Sequence, residues 1–141
     1  MSTTAYQIIA VDFDGTLCYS NWPGLGEPNR PLIEYLINQK RSGNKLILWT
    51  CRAGEALEKA VSWCKDHDLT FDAVNDNLPE IIEMYGNNSR KITCDYYIDD
   101  KAVLPQLLSV MLAEVCINTM ISEYYGAAEP PVRCGDPRNN Q

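Results

Sequence analysis

The sequence is poor in the residues that zinc-binding and disulfide-rich proteins require. His67 is its single histidine, so a metal site built from several Cys and His side chains lacks ligands. Six cysteines are present, but none belongs to a Cys-x-x-Cys pair. Their wide spacing indicates reduced thiols in a cytoplasmic protein rather than a disulfide framework.

Positive charge is also in short supply. The chain has 12 Lys and Arg against 19 Asp and Glu, a formal net charge of −7. A general nucleic-acid binder normally carries a basic surface, so this balance argues against one. If the substrate is an anion, the protein needs a local basic pocket or a metal ion to offset its own negative field.

Segments for export or membrane insertion are missing as well. Residues 1–6 lack the basic region and apolar core of a signal peptide. Residues 107–121 are apolar-rich but interrupted by polar residues, and they fall short of the about 20 residues that span a bilayer. We therefore expect no membrane association. We interpret residues 107–121 as a helix that covers the chain's own sheet, with an interface in a homo-oligomer as the alternative.

The order of apolar segments predicts the fold class. Short apolar runs typical of buried strands alternate with segments of helical periodicity, which indicates an α/β fold. We expect a three-layer sandwich with a mostly parallel central sheet, formed by a single domain over residues 1–126, and a loose tail over 127–141. The predicted strands cover 7–12, 45–49, 71–74 and 96–98, and the predicted helices begin at Pro31, Ala53, Leu78 and Val103.

Polar side chains follow three of these strands at the point where each strand ends. The carboxyl ends of neighbouring parallel strands share one edge of a sheet, so the groups are expected to converge there. Four carboxylates at one edge repel one another unless a cation lies among them, and hard oxygen ligands suit Mg²⁺. The candidate site residues are Asp12, Asp14, Thr50, Arg52, Asp99 and Asp100.

Asp12 and Asp14 permit a division of labour. They lie on either side of Phe13, and Gly15 allows a tight turn after them. One carboxylate can attack while the other donates a proton to the leaving group and later activates water. An isolated Asp-x-Asp is usually a solvated turn, but the preceding apolar strand and the following Gly-Thr favour a catalytic pair.

Four segments carry a family resemblance. Residues 11–17, VDFDGTL, resemble the first motif of the haloacid dehalogenase superfamily in its phosphatase form, D-x-D-G-T. Residues 46–50, LILWT, resemble the second motif, and Lys91 resembles the lysine of the third. Residues 96–100, YYIDD, resemble the fourth, an apolar strand that ends in paired acids. The motifs occur in the family's order over roughly residues 7–101.

The resemblance implies a Rossmann-like core and a catalytic role for each matched residue. Asp12 would attack phosphorus and form an aspartyl-phosphate, and Asp14 would act as general acid and then as general base. Thr50 would hydrogen-bond the transferring phosphoryl group, and Lys91 would neutralise its charge. Charge stabilisation and positioning are what phosphoryl transfer requires.

The resemblance also implies a Mg²⁺ ion. Asp12 would bind it through its carboxylate, and Asp14 through its backbone carbonyl. Asp99 would complete the site, and Asp100 would either touch the ion or lie next to its ligands.

Several candidates have structural alternatives. Asp99 or Asp100 can cap the following helix, and Thr50 can bond its own backbone. Lys91 can be a surface cation. Arg52 can reach a substrate anion or form a surface ion pair.

The family pattern predicts a class of reaction but does not identify the substrate. Dehalogenases of the superfamily lack an acid at the position of Asp14, because a halide leaving group needs no proton. The sequence therefore favours a phosphatase that hydrolyses phosphomonoesters. The alternatives are a phosphotransferase, a polynucleotide-end phosphatase, and a non-catalytic binding or regulatory protein on the same fold.

Many members of the superfamily carry a cap domain over the site. Here only residues 18–30 separate the first motif from the helix at Pro31, so we expect no substantial cap. Those residues would form a partial flap, in which Trp22 either contacts substrate or packs down. We expect a phosphorylated small molecule as substrate rather than a macromolecule, and a nucleic acid least of all.

Overall fold

A computed structural model describes residues 5–125 of the chain. These residues divide into two compact units, 5–100 and 101–125, which are described separately. The predicted tail, 127–141, lies outside the described residues, and the predicted boundary at residue 126 stays a prediction.

The first unit alternates strands and helices along the chain. Its strands are β1 (Ile8–Val11), β2 (Cys18–Tyr19), β3 (Glu27–Pro28), β4 (Lys45–Leu48), β5 (Ala73–Val74) and β6 (Tyr96–Ile98). Its helices are α1 (Arg30–Arg41), α2 (Gly54–Asp66) and α3 (Pro79–Tyr85).

A four-stranded parallel sheet forms the middle layer, in the order β5-β4-β1-β6. All four residues of β1 are buried, as expected for the central strand of a sheet that is covered on both faces. On one face, Ile9, Val11, Leu46 and Leu48 pack against residues of α1 and α2. On the other face, Ile8, Ala10 and Ile47 pack against residues of α3. The predicted α/β three-layer sandwich is confirmed.

The predicted absence of a substantial cap also holds between β1 and α1. There the chain forms only a two-stranded antiparallel hairpin, β2–β3, which we call the flap hairpin (residues 18–28). Asn29 follows it, and its side chain accepts from the N–H of Leu32 in the first turn of α1. The hairpin is thereby tied to the start of a core helix.

The second unit contains a 3₁₀ turn, Pro105–Leu107, followed by the helix α4, Leu108–Tyr125. The sequence predicts a helix that begins at Val103 with Pro105 in its first turn, whereas Pro105 begins the 3₁₀ turn and α4 begins at Leu108. No helix within residues 5–125 is long and apolar enough to cross a bilayer. What α4 covers stays a prediction.

Candidate active site

Strand register places three of the candidate segments side by side. Val11, the last residue of β1, pairs with Leu48 of β4 and with Ile98 of β6. The N–H of Asp12 continues this ladder by donating to the carbonyl of Ile98 at 2.9 Å. The segments that begin at Asp12, after β4 and at Asp99 therefore leave the sheet at one edge, the usual ligand-binding edge of open α/β sheets.

Three carboxylates meet at this edge. Asp12, Asp99 and Asp100 each offer one oxygen, and the three oxygens lie within 4.8 Å of one another. In an octahedral Mg²⁺ site with ligands at about 2.1 Å, opposite oxygens are about 4.2 Å apart. At most one pair among three ligands can be opposite, and neighbouring oxygens are about 3 Å apart, so the three oxygens would draw closer around an ion. Carboxylate oxygens are the ligands that Mg²⁺ prefers. The residues present fit a Mg²⁺ ion.

A tight turn after β1 holds the cluster together. Gly15 has a φ of +77°, a conformation that strains any other residue, and a Cβ there would displace the carboxylate of Asp100. The hydroxyl of Thr16 donates to Asp12 Oδ2 at 3.1 Å and accepts from the N–H of Asp100 at 3.0 Å. Thr16 is only 6% exposed. It thus joins the loop after β1 to the loop after β6.

The environment of Asp12 disfavours its charged form. Burial, and next the charge of Asp99, raises the pKa of Asp12 to about 7, although the hydrogen bond from Thr16 opposes the rise. Among residues 5–125, Asp12 forms no ion pair. A divalent cation at this point would favour the carboxylate, because an opposite charge nearby stabilises the ionised form.

Thr50 is held at the same edge by its neighbours. Its N–H donates to Asn75 Oδ1 at 2.8 Å, and its hydroxyl accepts from the N–H of Arg52 at 3.1 Å. The hydroxyl proton can still be donated, because a hydroxyl both donates and accepts. Asn75 adopts a φ of +51°, which Asn tolerates better than most residues.

Asp14 is bound by a buried arginine. Arg52 donates from Nε to Asp14 Oδ2 at 2.9 Å and from Nη2 to Oδ1 at 2.7 Å, the bidentate geometry of the strongest ion pairs. The hydroxyl of Ser20 also donates to Oδ1. Arg52 is only 1% exposed, so its ion pair with Asp14 does not lie at the surface.

Trp22 packs down rather than standing free. Its ring lies 4.9 Å from the guanidinium carbon of Arg52, and the ring of Phe13 lies 4.8 Å from the same atom. The guanidinium therefore lies against two aromatic rings.

Lys91 is exposed, and its described hydrogen bond runs through its backbone carbonyl, which accepts from the hydroxyl of Ser89 at 2.8 Å. It forms no ion pair with any residue in the 5–125 range. The described contacts do not bring it to Asp12, and its phosphate-binding role stays a prediction.

Sequence reasoning assigned no individual roles to Thr16, Ser20 and Asn75. The signal for Thr16 was present, because it is the last letter of D-x-D-G-T. Ser20 and Asn75 lie in short polar segments whose paths depend on the tertiary fold, so no local pattern marks them.

No family model and no curated protein matches the chain. Among solved structures, a conserved protein from Bacteroides thetaiotaomicron is similar, with a TM-score of 0.62 and 34% sequence identity. The likeness covers 86% of this chain and 99% of that one. It extends over nearly the whole of the other protein.

Proposed function

This chain belongs to the same family as the conserved Bacteroides thetaiotaomicron protein, and we propose its function from the site itself. We propose that it is a Mg²⁺-dependent phosphatase of the haloacid dehalogenase type that hydrolyses phosphomonoesters. One observation carries the proposal. Asp12 shares one edge of the sheet with Asp99 and Asp100, and Asp14 lies on the same turn.

In the first step, a carboxylate oxygen of Asp12 attacks the phosphorus of the ester. A phosphorus–oxygen bond forms to Asp12, and the bond to the leaving alcohol breaks. Asp14 must carry a proton for this step, so its ion pair with Arg52 would have to release one carboxylate oxygen. The proton then passes to the departing alkoxide, which would otherwise be a poor leaving group. The turn that places the two acids on either side of Phe13 supports this division of labour.

In the second step, water attacks the phosphorus of the aspartyl-phosphate. Asp14, now ionised, takes the proton from the water, and the bond between phosphorus and Asp12 breaks. Inorganic phosphate leaves, and both acids return to their starting forms. The two steps consume one water and one ester and release one alcohol and one phosphate.

Asp12, Asp99 and Asp100 would hold the Mg²⁺ ion. When bound, it supplies positive charge that offsets the charge on the attacking carboxylate and on the phosphoryl oxygens. The raised pKa of Asp12 supports this assignment, because a nucleophile that resists ionisation near pH 7 needs a nearby cation to attack efficiently.

Two further residues complete the proposal. Thr50 would donate its hydroxyl proton to a phosphoryl oxygen, since the N–H bonds to and from its neighbours fix its position. Lys91 would neutralise charge on the phosphate, the role that its match to the third motif implies. Because the chain places just the flap hairpin between β1 and α1, we propose a phosphorylated small molecule as substrate.

The test is hydrolysis of a panel of phosphate esters that includes sugar phosphates, nucleotides and a 3′-phosphorylated oligonucleotide. We expect Mg²⁺-dependent phosphate release that EDTA abolishes and that favours a small ester. Preference for the oligonucleotide would instead favour a polynucleotide-end phosphatase. A folded protein that binds Mg²⁺ and hydrolyses no ester would favour a non-catalytic binding role.

A further inference from the structure

The side chain of Arg52 has no donor left for a substrate. Arginine carries five N–H donors, and five acceptors within the chain surround them. Besides the two bonds to Asp14, Nη1 donates to the carbonyls of Pro23 at 3.1 Å and Ala56 at 3.4 Å, and Nη2 donates to that of Gly24 at 2.8 Å. Its side chain is fully enclosed.

These five bonds connect three parts of the first unit. Asp14 belongs to the turn after β1, Pro23 and Gly24 form part of the flap hairpin, and Ala56 lies in the first turn of α2. The aromatic faces of Phe13 and Trp22 enclose the guanidinium from the turn and from the flap hairpin. Among the described contacts, the side chain of Arg52 thus joins Asp14, a candidate catalytic acid, to the flap hairpin.

We propose that Arg52 is a positioning residue that fixes the carboxylate of Asp14 and fastens the flap hairpin beside it. The part that concerns Asp14 rests on the proposed function, while the fastening of the hairpin does not. The reaction then depends on Arg52 through Asp14, without contact between Arg52 and the substrate.

Lysine cannot replace arginine in this role. Its ammonium has three donors on a point charge and lacks the planar fork that bonds both oxygens of a carboxylate. It also lacks the flat surface with which a guanidinium packs against aromatic rings. Arg52→Lys therefore keeps the charge and removes the geometry, and Arg41→Lys, at an exposed arginine on α1, is the matched control.

The first measurement compares two esters that differ in their need for a proton. Glycerol phosphate releases an alkoxide that must be protonated, whereas 4-nitrophenyl phosphate releases a stable phenolate. General acid catalysis contributes about 10²- to 10⁴-fold. We expect Arg52→Lys to lower kcat/KM, which reports the leaving-group step, about 100-fold for glycerol phosphate and about 10-fold or less for 4-nitrophenyl phosphate. Arg41→Lys should change neither value by more than about 2-fold. An equal loss for both esters, or none, would overturn the positioning role.

The second measurement needs no activity. Amide hydrogen exchange over residues 18–28 should be about 10-fold faster in Arg52→Lys than in the native chain or in Arg41→Lys. Unchanged exchange would overturn the fastening of the hairpin. If the native protein hydrolyses no ester, the proposed function fails, and this exchange result still decides the structural part.

Should Arg52→Lys not fold, Trp22→Ala serves in its place. It keeps all five bonds of Arg52 but exposes one face of the guanidinium to water, which competes for the bonds to Asp14. We expect Trp22→Ala to lower kcat/KM less than Arg52→Lys does. The loss should still be several-fold larger for glycerol phosphate than for 4-nitrophenyl phosphate. If neither the rate ratio nor the exchange of residues 18–28 changes, the proposal is wrong.

Discussion

The two edges of the parallel sheet both carry aspartates, but the aspartates have different surroundings. At the amino-terminal edge, Asp95 Oδ2 accepts from the N–H of Ile8 at 2.6 Å, and Asp72 Oδ2 accepts from the N–H of Leu46 at 2.9 Å. Asp72 also has the ammonium groups of Lys40 and Lys45 at 3.8 Å. These carboxylates complete the ends of strands and are matched by donors and cations.

At the carboxyl-terminal edge, the acids face one another. Asp12 lies near Asp99 and Asp100, and the Asp99 charge helps burial to raise its pKa to about 7. A protein that needed only stable strand ends would gain nothing from this crowding, because like charges destabilise one another. The comparison supports our proposal that the first edge serves stability, while the second holds a cation and carries out the reaction.

The largest expected effect is the loss of activity when an aspartate at the carboxyl-terminal edge of the sheet is replaced. Asp12→Asn removes the attacking oxygen, so kcat should fall by about 10³-fold or more. Asp66→Asn, at an exposed aspartate of α2, should leave kcat unchanged within about 2-fold. Steady-state phosphate release measures both. Full activity of Asp12→Asn would remove the distinction between the edges.

The second effect concerns pH. The folded pKa of Asp12, about 7, lies above the unfolded value of about 3.9, so in Mg²⁺-free buffer the free energy of unfolding should fall as the pH rises from about 4 to about 7. Because Asp12 is partly exposed, solvent screening reduces the loss to about 1–2 kcal/mol. Urea unfolding at pH 5 and pH 8 should show this loss in the native chain and in Asp66→Asn.

In Asp12→Asn the same loss should be absent, since the amide does not titrate. An equal pH dependence in Asp12→Asn would mean that other groups cause it.

The third effect is stabilisation by the metal. If Mg²⁺ binds the folded chain with a Kd of about 1 mM, 10 mM Mg²⁺ adds about 1.4 kcal/mol to the free energy of unfolding. Thermal unfolding should show the resulting rise in Tm, and Asp99→Asn should abolish it. Asp72→Asn, at the other edge, should keep it. A rise that survives Asp99→Asn would place the ion elsewhere.

The smallest effect belongs to the amino-terminal edge. Asp95→Ala leaves the N–H of Ile8 without its acceptor, which should lower the free energy of unfolding by about 1 kcal/mol. Its kcat at saturating Mg²⁺ should match that of the native chain. A large drop in kcat without loss of stability would assign catalytic importance to this edge too.

The fold followed from local patterns, because each buried strand is a short apolar run and each helix begins near a predicted residue. Asp12, Asp99 and Asp100 were within reach of sequence reasoning, since parallel strands bring their carboxyl ends to one edge. The hydrogen-bond partners of Arg52 could not be predicted from the sequence. Its bonds to Asp14, Pro23 and Gly24 depend on how the hairpin closes over the turn, and residues that are 28 to 38 positions apart in the chain meet there.

The identity of the nucleophile is tested most directly with Asp14→Asn and 4-nitrophenyl phosphate in the presence of Mg²⁺. This substrate needs little help from an acid, but the second step needs Asp14 as a base, so the phosphorylated chain should accumulate. We expect one equivalent of 4-nitrophenolate in a burst, and a phosphoryl group on the peptide that carries Asp12 after acid quenching. A phosphoryl group on another residue, or steady turnover by Asp12→Asn, would contradict it.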